Sequence, residues 1–375
     1  VSRRVFFYVQ HLLGMGHLVR SYRIARALAA GGMQVTIVSG GVPTKGLDHG
    51  AADLVQLPPV KAGERGFSDL VHPDGTMFSN DDRAKRRDLL LQHFDRLNPD
   101  ILLTEAFPFG RRQMRFELIP LLERAHRRAA RPLIAASVRD ILQDQKTPAR
   151  AQEIATFVEQ FYDAVLVHGT PEFIPLTATF PLATGFADKI RYTGLVGPDA
   201  APPAQVPSYD VIVSAGGGAV GAPLIAAALG AHKSFAPEEQ WLIVTGPHLP
   251  EALAAEIEAQ AAPGLIVKRF VPDLPDLLCG ARLSISQAGY NTVADILRAG
   301  RRAVLVPFAA GGETEQTLRA ETMADRGLAV SLTERDLSAQ TLREAILRAR
   351  QLPQRAAGLP LQGAAQTHAI LQAMT

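Results

Sequence analysis

The chain has a single cysteine, Cys279, among 375 residues. One cysteine excludes an internal disulfide and a zinc site built on thiolates. No D-x-D pair of acids occurs, so the chain lacks a common sign of a bound divalent metal, and no metal or other cofactor is expected. Charge of one sign is missing too: 39 basic residues face 37 acidic ones. That balance excludes an acidic disordered chain and gives no nucleic-acid footprint. The longest apolar run, GAPLIAAALGA at 221–231, falls well short of the ~20 residues that span a bilayer. The first nine residues, VSRRVFFYV, are too short for a signal peptide and read as a strand. A cytoplasmic protein is expected, with at most peripheral contact at the inner face of the membrane.

What is present is a chain long enough for two domains, each with its own core. Short apolar runs alternate with helix-length segments, as in βα units around a parallel sheet. Strands are predicted at 4–9, 34–38, 53–57, 100–104, 133–137 and 164–168, with helices at 17–30, 81–97, 115–130 and 149–161. Residues 197–208, GPDAAPPAQVPS, break the periodicity and read as a proline-stiffened linker. The alternation then resumes, with strands at 210–215, 241–246, 265–270, 283–286, 303–307 and 328–332. Helices are predicted at 221–233, 251–260, 291–299, 315–326 and 338–350. The expected architecture is α/β, two Rossmann-like doubly wound domains facing a cleft. Residues 1–200 form the first domain and 209–351 the second; a last amphipathic helix within 352–375 has no evident partner. Residues 1–200 carry a net +4 and the remainder −2, a hint that the halves meet different ligands.

Ligands in open α/β sheets bind outside the carboxyl ends of the strands, so the turns after strands matter most. The first reads QHLLGMGH: Gly14 and Gly16 permit a tight turn, and His17 opens a helix. A dinucleotide fingerprint needs a third glycine where Val19 stands, and no acid follows the second strand to hold a ribose, so a nicotinamide cofactor is not expected. His17 has a side chain suited to proton transfer, or else it only caps a helix. The second turn, SAGGGAVGA, is dense in glycine, with Gly217, Gly218, Ala219 and Gly221 before a helix. Backbone amides there suit a diphosphate, while the lysine of an ATP-binding P-loop is missing. SQAGYNTVADILRAG and PFAAGGETEQTLRA add two more strand–turn–helix units, describing a nucleotide pocket. Asp295 is then a candidate for a ribose diol, and Glu315 and Gln316 for sugar hydroxyls; the plain alternative for Asp295 is an acid that complements the helix dipole.

These segments, with GMGHLVRSYRIARAL, RFVPDLPDLLCGARLS and ETEQTLRAETMADRGLA, together resemble inverting glycosyltransferases of the two-Rossmann-domain (GT-B) type. Among these the chain resembles the GlcNAc transferases of peptidoglycan-precursor synthesis and related predicted bacterial glycosyltransferases. The resemblance implies a UDP-sugar donor in the second domain and an acceptor hydroxyl in the first. Carried over, it puts Phe270 and Val271 at the base, Gly217, Gly218, Ala219 and Gly221 at the diphosphate, and Ala288 and Gly289 beneath the nucleotide. It puts Asp295 on the ribose, Glu315 and Gln316 on the sugar, and His17 as catalytic base. Ala219 stands where the family often has serine, Asp295 where it has glutamate, and Glu315 where it pairs two glutamines.

On the acceptor side, EAFPFGRRQMRF at 105–116 mixes Phe107, Phe109 and Phe116 with arginines. It reads either as a seat for an anionic, lipid-linked acceptor at a membrane surface or as a loop with buried aromatics. Asp140 is a possible partner for His17; Asp140 and Glu105 are the alternative bases. Residues 61–80 read as a mobile acceptor loop. The Gly14, Gly16, His17, Arg20 pattern also resembles nucleotide-sugar hydrolases of the same fold. Three readings therefore stand beside transfer: a nucleotide-sugar hydrolase or epimerase, a non-catalytic sugar-nucleotide binder, and a disfavoured dehydrogenase.

Overall fold

Residues 4–9, RVFFYV, have no polar face to offer water, and they form an inner strand, β1 (Arg4–Val9), buried from Val5 onward. In a computed structural model, residues 1–375 are described except 1, 13–14, 45, 64–65, 144–146, 199–202, 217–218, 248 and 354–357. The chain divides into two units: Val1–Asp199 with Gln362–Thr375, and Ala200–Leu361.

In unit 1 the further strands are β2 (Gln34–Ser39), β3 (Asp53–Gln56), β4 (Lys61–Gly63), β5 (Gly66–Val71), β6 (Ile101–Glu105), β7 (Leu133–Arg139), β8 (Ala164–His168) and β9 (Ile190–Tyr192). The helices are α1 (Gly16–Ala30), α2 (Asn80–Leu97), α3 (Arg115–His126), α4 (Pro148–Phe161) and the single turn α5 (Leu176–Thr179). Seven strands form a parallel sheet in the order β3-β2-β1-β6-β7-β8-β9. The chain runs outward from β1 in one direction and then restarts beside it at β6, so the topological switch point lies between β1 and β6. That is where a doubly wound sheet opens its crevice. Residues expected to be a loop at 61–80 instead include the antiparallel pair β4–β5. A three-residue strand is too short to show a period, which hides it in the sequence. Ser79 and Asp82 then close a reciprocal capping box at the start of α2.

Unit 2 contains β10 (Tyr209–Ser214), β11 (Trp241–Val244), β12 (Leu265–Lys268), β13 (Ala281–Ser286), β14 (Arg302–Leu305) and β15 (Ala329–Ser331). Its helices are α6 (Ala222–His232), α7 (Glu251–Glu258), α8 (Leu274–Leu277), α9 (Tyr290–Ala299), α10 (Glu315–Asp325) and α11 (Ala339–Gln351). The sheet is again parallel, ordered β12-β11-β10-β13-β14-β15, with its switch point between β10 and β13. Both units are therefore doubly wound and Rossmann-like. The final helix, α12 (Gly363–Met374), packs on α1 of unit 1. Gly363 N–H donates to Leu195 O at 3.0 Å, and the His368 ring meets Gly31 O at 3.1 Å. No helix among the described residues is long and apolar enough to cross a membrane.

Under β1 and β2 lies a buried polar cluster. Glu117 of α3 accepts from Tyr8 Oη at 2.5 Å and from Arg86 of α2 at 2.8 and 3.0 Å. Arg86 also donates to Gln10 Oε1 at 2.6 Å and Gly40 O at 2.9 Å. Arg86 and Glu117 are both fully buried, so each depends on the other for compensation. Glu117→Ala should cost about 3–5 kcal/mol, the range for stranding one member of a buried pair. Denaturant unfolding followed by circular dichroism measures it.

Candidate active site and donor pocket

Three neighbouring strand ends build the unit 1 site. After β1 the chain turns into α1, which carries His17 and Arg20 in its first turns. Glu105 ends β6 and Arg139 ends β7. Glu105 is fully buried, and its Oε1 lies 2.5 Å from His17 Nδ1 and 2.6 Å from Arg20 Nη2. Its Oε2 lies 3.5 Å from Arg111 Nη2. Burial opposes charge on this carboxyl, but His17 and the arginines outweigh it and hold its pKa below the usual carboxylate range. Glu105 thus stays an acceptor, and His17 must carry its proton on Nδ1. The other ring nitrogen, Nε2, presents its lone pair and accepts from Arg139 Nη2 at 3.1 Å. Burial, with Arg111 and Arg139 acting against the pull of Glu105, lowers the His17 pKa to about 3. The imidazole is neutral at neutral pH, oriented by a carboxylate on one side and able to accept on the other. This is the arrangement a general base requires.

The segment after β6 is shaped to hold this constellation. Ala106 and Arg111 adopt φ of 63° and 60°, a left-handed conformation that side chains take only under local compulsion. Arg111 thereby reaches Gln10 O at 2.5 Å while facing Glu105. His17, Arg111, Arg139, Phe109 and Leu142 are among the residues lining a depression of about 80 Å³. The acid on His17 Nδ1 is Glu105, which the sequence reading named as an alternative base. Asp140 is buried one residue beyond β7 and accepts from Ile141 N–H at 2.9 Å. Phe107 and Phe109 are buried, Phe109 against Phe180 at 5.3 Å, so these rings belong to the core and offer no apolar surface to a membrane. Sequence reasoning missed Arg139 as the group on Nε2: only the pairing of β6 with β7 brings it there. Gly16 opens α1, and Gly14 lies outside the described residues.

In unit 2 the expected donor residues fall at the carboxyl ends of the parallel strands. Gly216 has φ +70°, and a side chain on Gly221 would meet Ala215 Cβ at 2.2 Å. Glycine is therefore required at both positions by the turn itself, whatever it binds. Gly217 and Gly218 lie outside the described residues; Ala219 and Gly221 form a short 3-10 turn leading into α6. α6 and α9 open on Gly221 and Gly289 with no side-chain cap, unlike α2, α4 and α11, which are closed by Ser79, Thr147 and Ser338. Uncapped N-termini offer N–H groups and positive potential to an anion. Two buried hydroxyls at the ends of the strands flanking β10, Thr245 Oγ1 after β11 and Ser286 Oγ of β13, have no hydrogen-bond partner among the described residues. Neither is evident from sequence, because serine and threonine are common in strands.

Phe270 stands 60% exposed after β12, a large aromatic face on the surface, with Val271 half-buried beside it. Ala288 is buried and Asp295 half-buried in α9. Glu315 is also buried, and its Oε1 accepts from Arg319 Nη2 at 2.8 Å. Arg319 in turn donates to Ala288 O at 2.8 Å, tying α10 to the turn before α9. Gln316 Oε1 accepts from Phe308 N–H at 3.2 Å. No group of three or more metal-ligating acids, histidines or cysteines occurs among the described residues.

Residues 212–370 match the glycosyltransferase family 28 C-terminal domain. A stretch of 102 residues is 33% identical to the UDP-N-acetylglucosamine--N-acetylmuramyl-(pentapeptide) pyrophosphoryl-undecaprenol N-acetylglucosamine transferase 1 of Bacillus cereus. The match covers 27% of this chain and 28% of that protein, so the chain spans little more than a quarter of the curated relatives it matches. MurG of Acinetobacter baumannii superposes with a TM-score of 0.62 at 18% identity, covering 99% of this chain and all of that one. The spinosyn rhamnosyltransferase SpnG, solved with thymidine diphosphate, gives 0.60 at 16% identity, over 99% and 96% of the two chains. The chain thus has the two-Rossmann-domain fold of these glycosyltransferases and, over residues 212–370, matches the C-terminal domain of family 28.

Proposed function

We propose that this chain is an inverting glycosyltransferase that moves a sugar from a nucleoside diphosphate donor, with UDP the expected carrier, to an acceptor hydroxyl. The observation that carries the reading is His17, neutral and held through Nδ1 by Glu105 at 2.5 Å. His17 Nε2 takes the proton of the acceptor hydroxyl as that oxygen attacks the anomeric carbon. The new C–O bond forms as the bond to the diphosphate breaks, and the nucleoside diphosphate leaves with the electron pair. In unit 2, we assign the diphosphate to the segment of Gly217, Gly218, Ala219 and Gly221 and to the uncapped start of α6, where backbone amides are the donors expected for that charge. Phe270 and Val271 hold the base, Asp295 the ribose, and Gly289 the start of α9 beneath the nucleotide.

Glu315 acts here through Arg319, to which it is already joined, and Gln316 is the nearer candidate for sugar hydroxyls. The acceptor is small or lipid-linked; a lipid-linked one would bring the chain to the membrane surface.

A thermal-shift screen across nucleoside diphosphates and their sugars tests the donor, because a ligand bound only by the folded state raises the midpoint. UDP and a UDP-sugar should raise it, and a flat response to every nucleotide would end the proposal. Phe270→Ala should weaken nucleotide binding about tenfold or more, the effect of losing one base–aromatic stack. Asp295→Ala should weaken it as well, and unchanged affinity would remove the ribose assignment. His17→Ala should lower kcat by about 10²–10⁴, the usual contribution of a general base, with donor affinity unchanged. Because the base must be unprotonated and its pKa is lowered to about 3, the acid limb of kcat should lie well below pH 6. A limb near 6.5 would mean that the working base is another group.

A further inference from the structure

The general base of this site is already occupied. His17 Nε2, the atom that must receive a proton in the proposed reaction, lies 3.1 Å from Arg139 Nη2. A guanidinium only donates, and an imidazole nitrogen with a proton also only donates. Once Nε2 is protonated, the two groups face each other donor to donor, both cationic. Arg139 must then leave Nε2 and give that N–H to a different acceptor. Glu105 is already engaged by His17, Arg20 and Arg111. What arrives at the depression at that moment, alongside Arg139 and Arg111, is the acceptor molecule itself.

We infer that Arg139 is a latch on His17, released when an anionic oxygen carried by the acceptor, close to the reacting hydroxyl, takes its N–H. The inference rests on the proposed role of His17 and adds a requirement for the acceptor: a carboxylate or phosphate beside the nucleophile. Arg139 is here a positioning residue. A neutral acceptor leaves it on Nε2, where it blocks proton transfer. An anionic acceptor draws it away, removes a cation from the face of the imidazole and makes His17 a stronger base in the same event. Among the described residues, Glu105 from β6 and Arg139 from β7 bond the His17 ring, with Arg20 from α1 and Arg111 from the segment after β6 on the same carboxylate.

The test follows the His17 ring nitrogens by NMR in the full chain labelled at histidine, the signal being assigned by its loss in His17→Gln. The probe is inorganic phosphate, compared with chloride at equal ionic strength. Phosphate should raise the His17 titration midpoint by about one pH unit or more, saturably, the size of a single nearby charge effect. Arg139→Gln should raise the midpoint in chloride alone and abolish the further response to phosphate. Arg139→Lys, which keeps a charge on a shorter reach, should restore part of that response. An equal midpoint in phosphate and chloride would overturn the inference, as would an unmoved midpoint in a folded Arg139→Gln. None of these readings needs a donor or turnover, so failure of glycosyl transfer would show separately, in the nucleotide screen.

Discussion

The carboxylate of Glu105 is the constraint around which unit 1 is arranged. A buried charge is tolerated only where opposite charge and hydrogen bonds replace water. Here His17, Arg20 and Arg111 supply them, from the start of α1 and from the segment that follows β6. The carboxylate therefore fixes the orientation of the imidazole, the tautomer, and the left-handed backbone at Arg111 that lets its guanidinium reach both Glu105 and Gln10. Removing that one acid would leave two buried guanidinium groups without their shared anion, and His17 without its orienting partner.

The same device recurs at two other places. Glu117 and Arg86 join α2 and α3 beneath β1, and Glu315 and Arg319 join α10 to the turn before α9. In each case the acid serves an arginine that in turn holds a backbone carbonyl, Gly40 in the first and Ala288 in the second. Such pairs add little net stability over apolar packing, yet breaking one is costly. Their effect is to fix turns that no apolar contact could fix, since a carbonyl at a strand end has only a donor to bind.

Much of this was legible in the sequence. Apolar runs such as RVFFYV and AVLVH mark β1 and β8 at their full lengths, because strands buried on both faces need continuous hydrophobicity. The alternation with amphipathic helices gave the doubly wound plan. The partner of His17 was not legible: Glu105 and Asp140 both end strands, and only the hydrogen-bonded order β1-β6-β7 decides which reaches α1. The hairpin β4–β5 was hidden because the three residues of β4 carry no period that would mark a partner for β5. The glycines of unit 2 were visible, but their cause is mixed: Gly221 is demanded by contact with Ala215 irrespective of ligand, so glycine density alone overstated the case for phosphate.

The charge split between the halves takes on a different meaning once the side chains are placed. In unit 2 three arginines are paired with acids of the same unit: Arg319 with Glu315, Arg298 with Asp276, and Arg269 with Glu251. Backbone amides and helix N-termini are, by contrast, fixed dipoles that cannot be neutralised or moved. In unit 1 the cations converge on one small depression, and one of them, Arg139, lies on His17 Nε2. A fixed dipole suits a leaving group whose charge grows in one place, because it costs no reorganisation as the bond breaks. A movable guanidinium suits an entering molecule whose arrival must be registered.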